Sequence, residues 1–204
     1  MWDLDSLSPF LYFRYYIVMK FLKSFVRNLI VLIAIIIVLA LINRWYIGGF
    51  VTIDVQEKNI DGYVIAYTEF VGMYSQVGPS VDKVYEILSW AGINSYTGVG
   101  IYYSDPTTIP PEGLKSDIGA VVAAEDIKNI PKNQDIQIRN IPARQSIIAE
   151  FPLKSNMSYM AGVMKVYPVL KQYMQTKNYT REAPVTELYD IVAKKIYYIV
   201  EIIQ

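Results

Sequence analysis

The chain has 204 residues, enough for one domain of ordinary size and an additional segment, and Lys+Arg and Asp+Glu each number 19. This balance gives no basic surface of the kind that binds nucleic acid, so we expect no nucleic-acid partner. The sequence contains neither cysteine nor histidine. Disulfides, thiolate nucleophiles, Ser-His-Asp catalysis and zinc sites built from these residues are therefore excluded, and we expect no cofactor and no metal.

An apolar run at residues 29–42 predicts a transmembrane anchor over residues 28–48. Fourteen helical residues span about 21 Å, which is less than the ~30 Å hydrocarbon core of a bilayer. Trp45 and Tyr46 extend the run with side chains suited to the membrane interface. The lipid bilayer is therefore an expected partner of this segment. A cleaved signal peptide ending near Ala40 is the alternative interpretation of the same run.

The charges that flank the run predict its orientation. Lys20, Lys23 and Arg27 lie just before it, and Arg44 lies just after it. Because positive charge is retained on the cytoplasmic side, the pattern predicts a single-pass protein with a cytoplasmic N-terminus and residues 50–204 outside the cytoplasm.

Residues 1–27 form the N-terminal segment ahead of the predicted anchor. Residues 1–18 fit the pattern of a basic leading segment poorly, whereas Met19 begins a more ordinary basic start. The sequence therefore makes Met19 a possible true start of the protein.

Two helices are predicted in the remaining chain, at residues 79–92 and 155–177, from apolar residues at helical spacing. The second helix carries a stripe formed by Met157, Met160, Met164, Tyr167 and Met174. We interpret this stripe as core that packs against a sheet. An adaptable methionine-rich binding surface is the alternative.

Strands are predicted at residues 50–56, 62–71, 98–103, 118–124, 134–140, 145–151, 184–192 and 195–203. A strand-helix-strand-strand order occurs twice in this succession, which indicates an internal duplication. The predicted fold class is α+β, in which the duplicated units form an antiparallel sheet with two helices, preceded by one transmembrane helix.

Several segments in this order resemble the GyrI-like effector-binding domain family. The matching words are "YVIAYTEFVGMYSQVG" (63–78), "GVGIYYSDPTTIPPEGLKSDIGAVV" (98–122), "IPARQSIIAEFP" (141–152), "VYPVLKQYM" (166–174) and "TELYDI" (186–191). With an apolar segment directly ahead, the chain looks most like the membrane-anchored type of this family, of which an animal ER-phagy receptor is an example. The resemblance assigns residues 50–204 to a GyrI-like domain and implies a small organic ligand.

The resemblance also implies a site. In ligand-binding GyrI-like domains a glutamate of the penultimate strand faces aromatic rings and pairs with cationic, lipophilic ligands, and Glu187 in "ELY" matches it. The predicted ligand-binding residues are Glu187, Tyr189, Tyr102, Tyr103 and Tyr67, and no catalytic residue is expected. Strand alternation agrees, because it places Glu187 on one face with Val185, Tyr189 and Ile191.

Three alternatives stay open from the sequence. Glu187 could be an edge carboxylate that faces water or pairs with Lys194 or Lys195. The domain could be a protein-interaction module that is displayed at the membrane and uses the turn-rich loop 104–116. A hydrolase without histidine could use Glu187 as general base beside Tyr102 or Tyr103.

Overall fold

The computed structural model describes residues 9–46, 51–131, 135–179 and 183–203. The chain divides into two units, one that ends at Tyr46 and one that follows it. The described part of the first unit is a single helix, α1, at Pro9–Tyr46. The predicted Met19 start lies within this helix, which begins well before the predicted anchor.

Part of α1 is long and apolar enough to cross a membrane. The stretch Phe13–Trp45 contains 33 residues, and its most apolar 18 residues have a mean hydropathy of 3.0. At about 1.5 Å per residue it is longer than the ~30 Å that a hydrocarbon core requires. Length and composition are the basis of this assignment, and they are shared by signal sequences and some core helices.

The second unit combines an eight-stranded antiparallel sheet with two helices. The helices are α2 (Gly78–Trp90) and α3 (Met157–Thr176). The strands are β1 (Val55–Ile60), β2 (Tyr63–Val71), β3 (Thr97–Tyr102), β4 (Lys115–Val122), β5 (Gln137–Ile141), β6 (Arg144–Pro152), β7 (Val185–Asp190) and β8 (Lys195–Glu201). Their spatial order is β1-β6-β8-β7-β3-β4-β2-β5. The predicted α+β class is confirmed.

The first repeat contains β1 to β4 with α2, and the second contains β5 to β8 with α3, so each has one strand more than the predicted strand-helix-strand-strand unit. The sheet order shows how these two repeats interlock. β1 pairs with β6 of the second repeat, and β5 pairs with β2 of the first repeat. Each repeat therefore gives its first strand to the half-sheet of the other repeat. The halves also join at the centre of the sheet, where β3 and β7 pair antiparallel.

Both helices pack on one face of the sheet and form separate cores there. Val84 and Leu88 of α2 are buried with alanines of β2 and β4. Val166 of α3 is buried with Phe151 and Tyr198 of β6 and β8. The central pair β3 and β7 therefore forms the floor between the two helices.

The predicted core stripe of α3 is wrong for three of its methionines. Met157, Met160 and Met164 are exposed, Met164 by 72%, whereas Met174 is only 7% exposed. The line that faces the sheet is Ser158, Gly162, Val166, Leu170 and Met174. Two small residues at the start of this line let the helix approach the sheet closely, and this turns the large methionines outward.

Gly162 supports a further prediction, that Gly162→Ala lowers the free energy of unfolding by about 1–3 kcal/mol, the usual cost of overpacking a filled core. An added Cβ would overlap the Tyr198 hydroxyl and lie 3.2 Å from the Phe151 ring. The Tyr198 hydroxyl is buried and makes no hydrogen bond with the described residues, so Tyr198→Phe should restore part of the loss. Urea unfolding of the single and double variants tests this expectation, and strictly additive losses would contradict it.

Candidate functional site

The candidate site lies on the floor between α2 and α3. In the register of β3 and β7, Gly100 is opposite Glu187 and Gly98 is opposite Tyr189. The two glycines have no side chain to project between the helices. A Cβ at Gly98 would lie 3.3 Å from the Tyr85 hydroxyl, so a tyrosine from α2 occupies part of the space above β3.

Glu187 lies at the centre of this site and is only 2% exposed. Tyr167 of α3 donates a hydrogen bond of 2.7 Å to its Oε1 atom. Tyr189 of the same strand donates a hydrogen bond of 2.7 Å to Oε2. The hydroxyl oxygens of Tyr189 and Tyr102 are 3.2 Å apart. Because the Tyr189 proton points to Glu187, Tyr102 is the donor in this last contact, and the tyrosine protons are directed toward the carboxylate.

Aromatic rings surround the carboxylate and its hydrogen-bond donors. Tyr159 packs edge-on against Tyr189 at 5.3 Å between ring centres, and Tyr74 packs in the same way against Tyr102 at 4.8 Å. Tyr167 and Tyr198 form a third edge-on pair at 5.9 Å. The negative faces of such rings attract cations. We call this group of tyrosines with Glu187 the tyrosine cleft.

The protonation of the cleft follows from its burial. Burial raises the pKa of Glu187 to about 7, and the hydrogen bonds from Tyr167 and Tyr189 oppose the rise. Burial, followed by the nearby Glu187 charge, also raises the pKa of Tyr102 and Tyr167 well above the ordinary tyrosine value. The tyrosines therefore act as neutral donors around one titratable carboxylate.

Within the described ranges, Glu187 contacts two hydroxyls and no cationic side chain. Its predicted alternative partner Lys195 instead pairs with Glu150 at 2.6 Å. Lys194 lies in the turn after β7, where its φ is +54°. The alternative of an exposed or lysine-paired Glu187 is therefore wrong. A carboxylate buried without a counter-charge is costly, and such a position is typical of a binding site.

Comparison with known proteins identifies the family of the domain that carries these residues. Residues 53–203 match the profile of the GyrI-like small molecule binding domain, which covers well over half of the chain. The chain belongs to this family. Its domain is a GyrI-like small-molecule-binding domain.

One curated relative and two solved structures show how far the GyrI-like domain resembles known proteins. Testis-expressed protein 264 homolog of Mus musculus is 22% identical over 134 residues, which are 62% of this chain and 42% of that protein. The chain thus spans about two-fifths of the length of this relative. An EcmrR–DNA complex in EcmrR-RPo, solved by cryo-EM, matches with TM-score 0.54 and 15% identity over 98% of this chain and 74% of that chain. The crystal structure of the EcmrR C-terminal domain matches with TM-score 0.51 and 15% identity over 74% of this chain and 99% of that chain. At this identity the two structures show a shared fold.

Three of the five predicted site residues of the GyrI-like domain come together in the structure, namely Glu187, Tyr189 and Tyr102. Ile191, which was expected on the same face, lies beyond the end of β7 and is exposed. The turn after Asp190 ends the alternation before Ile191 can take part.

Tyr67 and Tyr103 do not reach Glu187. Tyr103 follows Tyr102 directly and points to the opposite face, where it donates a 2.5 Å hydrogen bond to Asp117. Arg139 pairs with Asp117 at 2.6 Å and lies 4.3 Å from the centre of the Tyr67 ring. Tyr67 and Tyr103 therefore belong to a closed ion-pair cluster on the face without helices.

The sequence did not indicate that tyrosines of α3 and β8 belong to the tyrosine cleft, or that glycines of β3 lie beneath it. Tyr167 had been assigned only to the apolar stripe of α3, and Tyr198 had been assigned only to a strand. A usable signal existed in the pairing of adjacent strands, because a short turn after β7 places Tyr198 directly opposite Glu187. No comparable signal brings Tyr159 or Tyr167 to the same place, since their position depends on how α3 lies on the sheet.

Proposed function

We propose that this GyrI-like domain binds a lipophilic organic cation at Glu187, without catalysing a reaction on it. The observation that supports this proposal is a carboxylate that is 2% exposed, surrounded by tyrosines and without a cationic partner among the described residues. A ligand that reaches Glu187 must displace tyrosine side chains, since they cover it.

The physical argument concerns the charge that the site lacks. An ionised carboxylate in an apolar site is disfavoured until a positive charge joins it. A lipophilic cation supplies that charge without needing many hydrogen bonds, and its apolar groups can pack on the rings of Tyr159 and Tyr102. The same rings attract the cation through their faces. A neutral ligand would gain the packing but would leave the carboxylate unpaired.

The chemistry of the tyrosines supports binding rather than hydrolysis. A nucleophile must lose its proton readily, whereas burial and the Glu187 charge raise the pKa of Tyr102 and Tyr167. Glu187 is 2% exposed and both of its carboxylate oxygens accept hydrogen bonds from tyrosines, so water does not reach them in this arrangement. These features favour a binding site over the alternative of a general base.

The test of the binding site is a calorimetric titration of the full chain in detergent with tetraphenylphosphonium at pH 8. Glu187→Gln should weaken binding by about 1.5–3 kcal/mol, or roughly ten- to a hundredfold, the usual scale of a charge-assisted contact. Glu150→Gln is the matched control, because that glutamate is surface-exposed and pairs with Lys195. Equal affinity of the wild type and Glu187→Gln would refute the proposal, and turnover of an ester probe that depends on Glu187 would favour the hydrolase.

We further propose that residues 28–48 anchor the domain in a bilayer and that residues 50–204 lie outside the cytoplasm. The length and apolar composition of Phe13–Trp45 support the anchor. The excess of Lys20, Lys23 and Arg27 over Arg44 supports the orientation.

The orientation predicts a simple protection experiment. Protease added to spheroplasts of an expressing bacterial host should digest residues 50–204 while a cytoplasmic marker stays intact. Digestion of this domain only after lysis would reverse the assigned orientation and place the tyrosine cleft in the cytoplasm.

A further inference from the structure

One end of the sheet carries a concentration of exposed apolar side chains. Tyr96 immediately precedes β3, and the Ile191 N–H donates a 3.0 Å hydrogen bond to its carbonyl oxygen. Trp90, the last residue of α2, is 83% exposed, and Val192 in the turn after β7 is 73% exposed. The first turn of α3 adds exposed methionines. We call this group the apolar end: Trp90, Tyr96, Met157, Met160, Ile191 and Val192.

Strand pairing places these elements together. Thr97 at the start of β3 is opposite Asp190 at the end of β7, and Asp190 is opposite Lys195 at the start of β8. Lys195 is in turn opposite Pro152, the last residue of β6. The segment from Pro152 to α3 is tied to the same turn, because the Leu153 N–H donates to the Lys194 carbonyl oxygen at 2.8 Å.

The chain enters the domain at this same end. β1 runs antiparallel to β6, and Val55 is opposite Ala149. Residues before Val55 therefore continue toward the Pro152 end of β6. Val51 lies beside the middle of α3, where the Lys165 Nζ donates a 3.0 Å hydrogen bond to the Val51 carbonyl oxygen.

We propose that the apolar end lies in the headgroup interface of a lipid bilayer, an inference that rests on the proposed membrane anchor. The residue types of the apolar end suit a membrane interface, as does its position in the domain. Tryptophan and tyrosine are enriched at membrane interfaces, where an apolar ring and a polar edge are both accommodated. Exposed Lys194, in the same turn as Ile191 and Val192, can extend its amine to lipid phosphates while its methylenes stay in the apolar layer.

Docking of this end would also set the position of the tyrosine cleft. Tyr189 is one residue before Asp190, the last residue of β7, and Tyr159 of α3 packs against it. This border of the cleft therefore adjoins the apolar end. A lipophilic ligand dissolved in the bilayer would reach the site without first crossing bulk water.

The absence of cysteine from the chain allows a direct test by single labelling. The full chain carrying Val192→Cys and an NBD fluorophore is reconstituted into vesicles of phosphatidylcholine and phosphatidylglycerol, with or without brominated acyl chains. Val71→Cys is the matched control, because this valine is 58% exposed and ends β2 at the opposite end of the sheet. Ala34→Cys within α1 reports the anchor itself.

We expect brominated lipid to reduce NBD emission at position 192 about twofold or more, because interfacial apolar groups enter roughly 5–10 Å into the headgroup and acyl boundary. Emission at position 71 should not change. Quenching at 34 with none at 192, or equal quenching at 192 and 71, overturns the docking and leaves the anchor standing. A blue-shifted but unquenched label at 192 also overturns it, since a second protein copy would then cover this end. No quenching at 34 refutes the anchor, and the docking with it.

Discussion

As the pH rises from 4.5 to 7, the wild-type domain is expected to lose about 3 kcal/mol of its free energy of unfolding through the titration of Glu187. The Glu187→Gln variant is expected not to show this loss. The pKa of Glu187 is raised from its ordinary value of 4.5 to about 7 by burial. Between these values the folded state holds a proton that the unfolded state has released. Stability from this group is therefore complete below pH 4.5 and is lost as the pH rises through 7.

The measurement is urea unfolding of the full chain in detergent at several pH values from 5 to 8, followed by the near-ultraviolet circular dichroism of the tyrosines. The difference in unfolding free energy between Glu187→Gln and wild type should grow with pH in favour of glutamine. Other titrating groups cancel in this difference. Glu150→Gln should show no such growth, since its carboxylate is half exposed and pairs with Lys195. Parallel curves for wild type and Glu187→Gln would mean that folding does not raise the pKa of Glu187.

Cation affinity is expected to fall about fiftyfold between pH 7 and pH 5, because the ionised fraction of a group with a pKa of about 7 falls from about one half to about one hundredth. A cation binds the ionised form of Glu187, and with a pKa of about 7 that form becomes scarce as the pH falls. Above pH 7 the affinity should rise only about twofold more, because about half of the carboxylate is already ionised at pH 7. Binding below pH 7 should also release a proton, since the cation stabilises the charged form.

Titrations of tetraphenylphosphonium in buffers of different ionisation enthalpy measure both effects. The Glu187→Gln variant is the control, and its weaker affinity should be independent of pH over this range. A wild-type affinity that does not change between pH 5 and 8 would show that the cation binds elsewhere or that the carboxylate stays charged without it.

The sequence predicted seven of the eight strands near their observed positions, because alternation and turn residues are local signals. The prediction of the first strand at residues 50–56 is wrong, since β1 spans Val55–Ile60. The sequence did not predict that β1 would pair with β6, since nothing local distinguishes a strand that stays in its own half from one that crosses over. The prediction that the α3 methionines form the core was wrong for a related reason. Hydrophobicity selected Met160 and Met164 as core, whereas the contact surface was set by small residues, which allow close packing but carry little apolar signal.

The site residues also divide into those that local patterns predict and those that depend on how the elements pack. Glu187 and Tyr189 were placed together correctly from two-residue alternation within one strand. The choice between Tyr102 and Tyr103 depended on the end of β3 and its register with β7, which the sequence does not specify. Tyr67 was included because of the family resemblance, whereas in the structure its ring packs against Arg139. Tyr167 contacts Glu187 because of the way α3 packs on the sheet, and no local pattern in the sequence predicts that contact.

The exchange of first strands between the repeats has a consequence for how the protein is made. As the chain leaves the ribosome, β1 emerges long before β6, whose Ala149 is about ninety residues beyond Val55. The first repeat alone leaves β1 without its hydrogen-bonded neighbour and β3 without β7. Neither half is a self-sufficient folding unit, and distant pairings of this kind slow folding. The edges of the first repeat stay open to incorrect strand pairing until the last quarter of the chain has been synthesised.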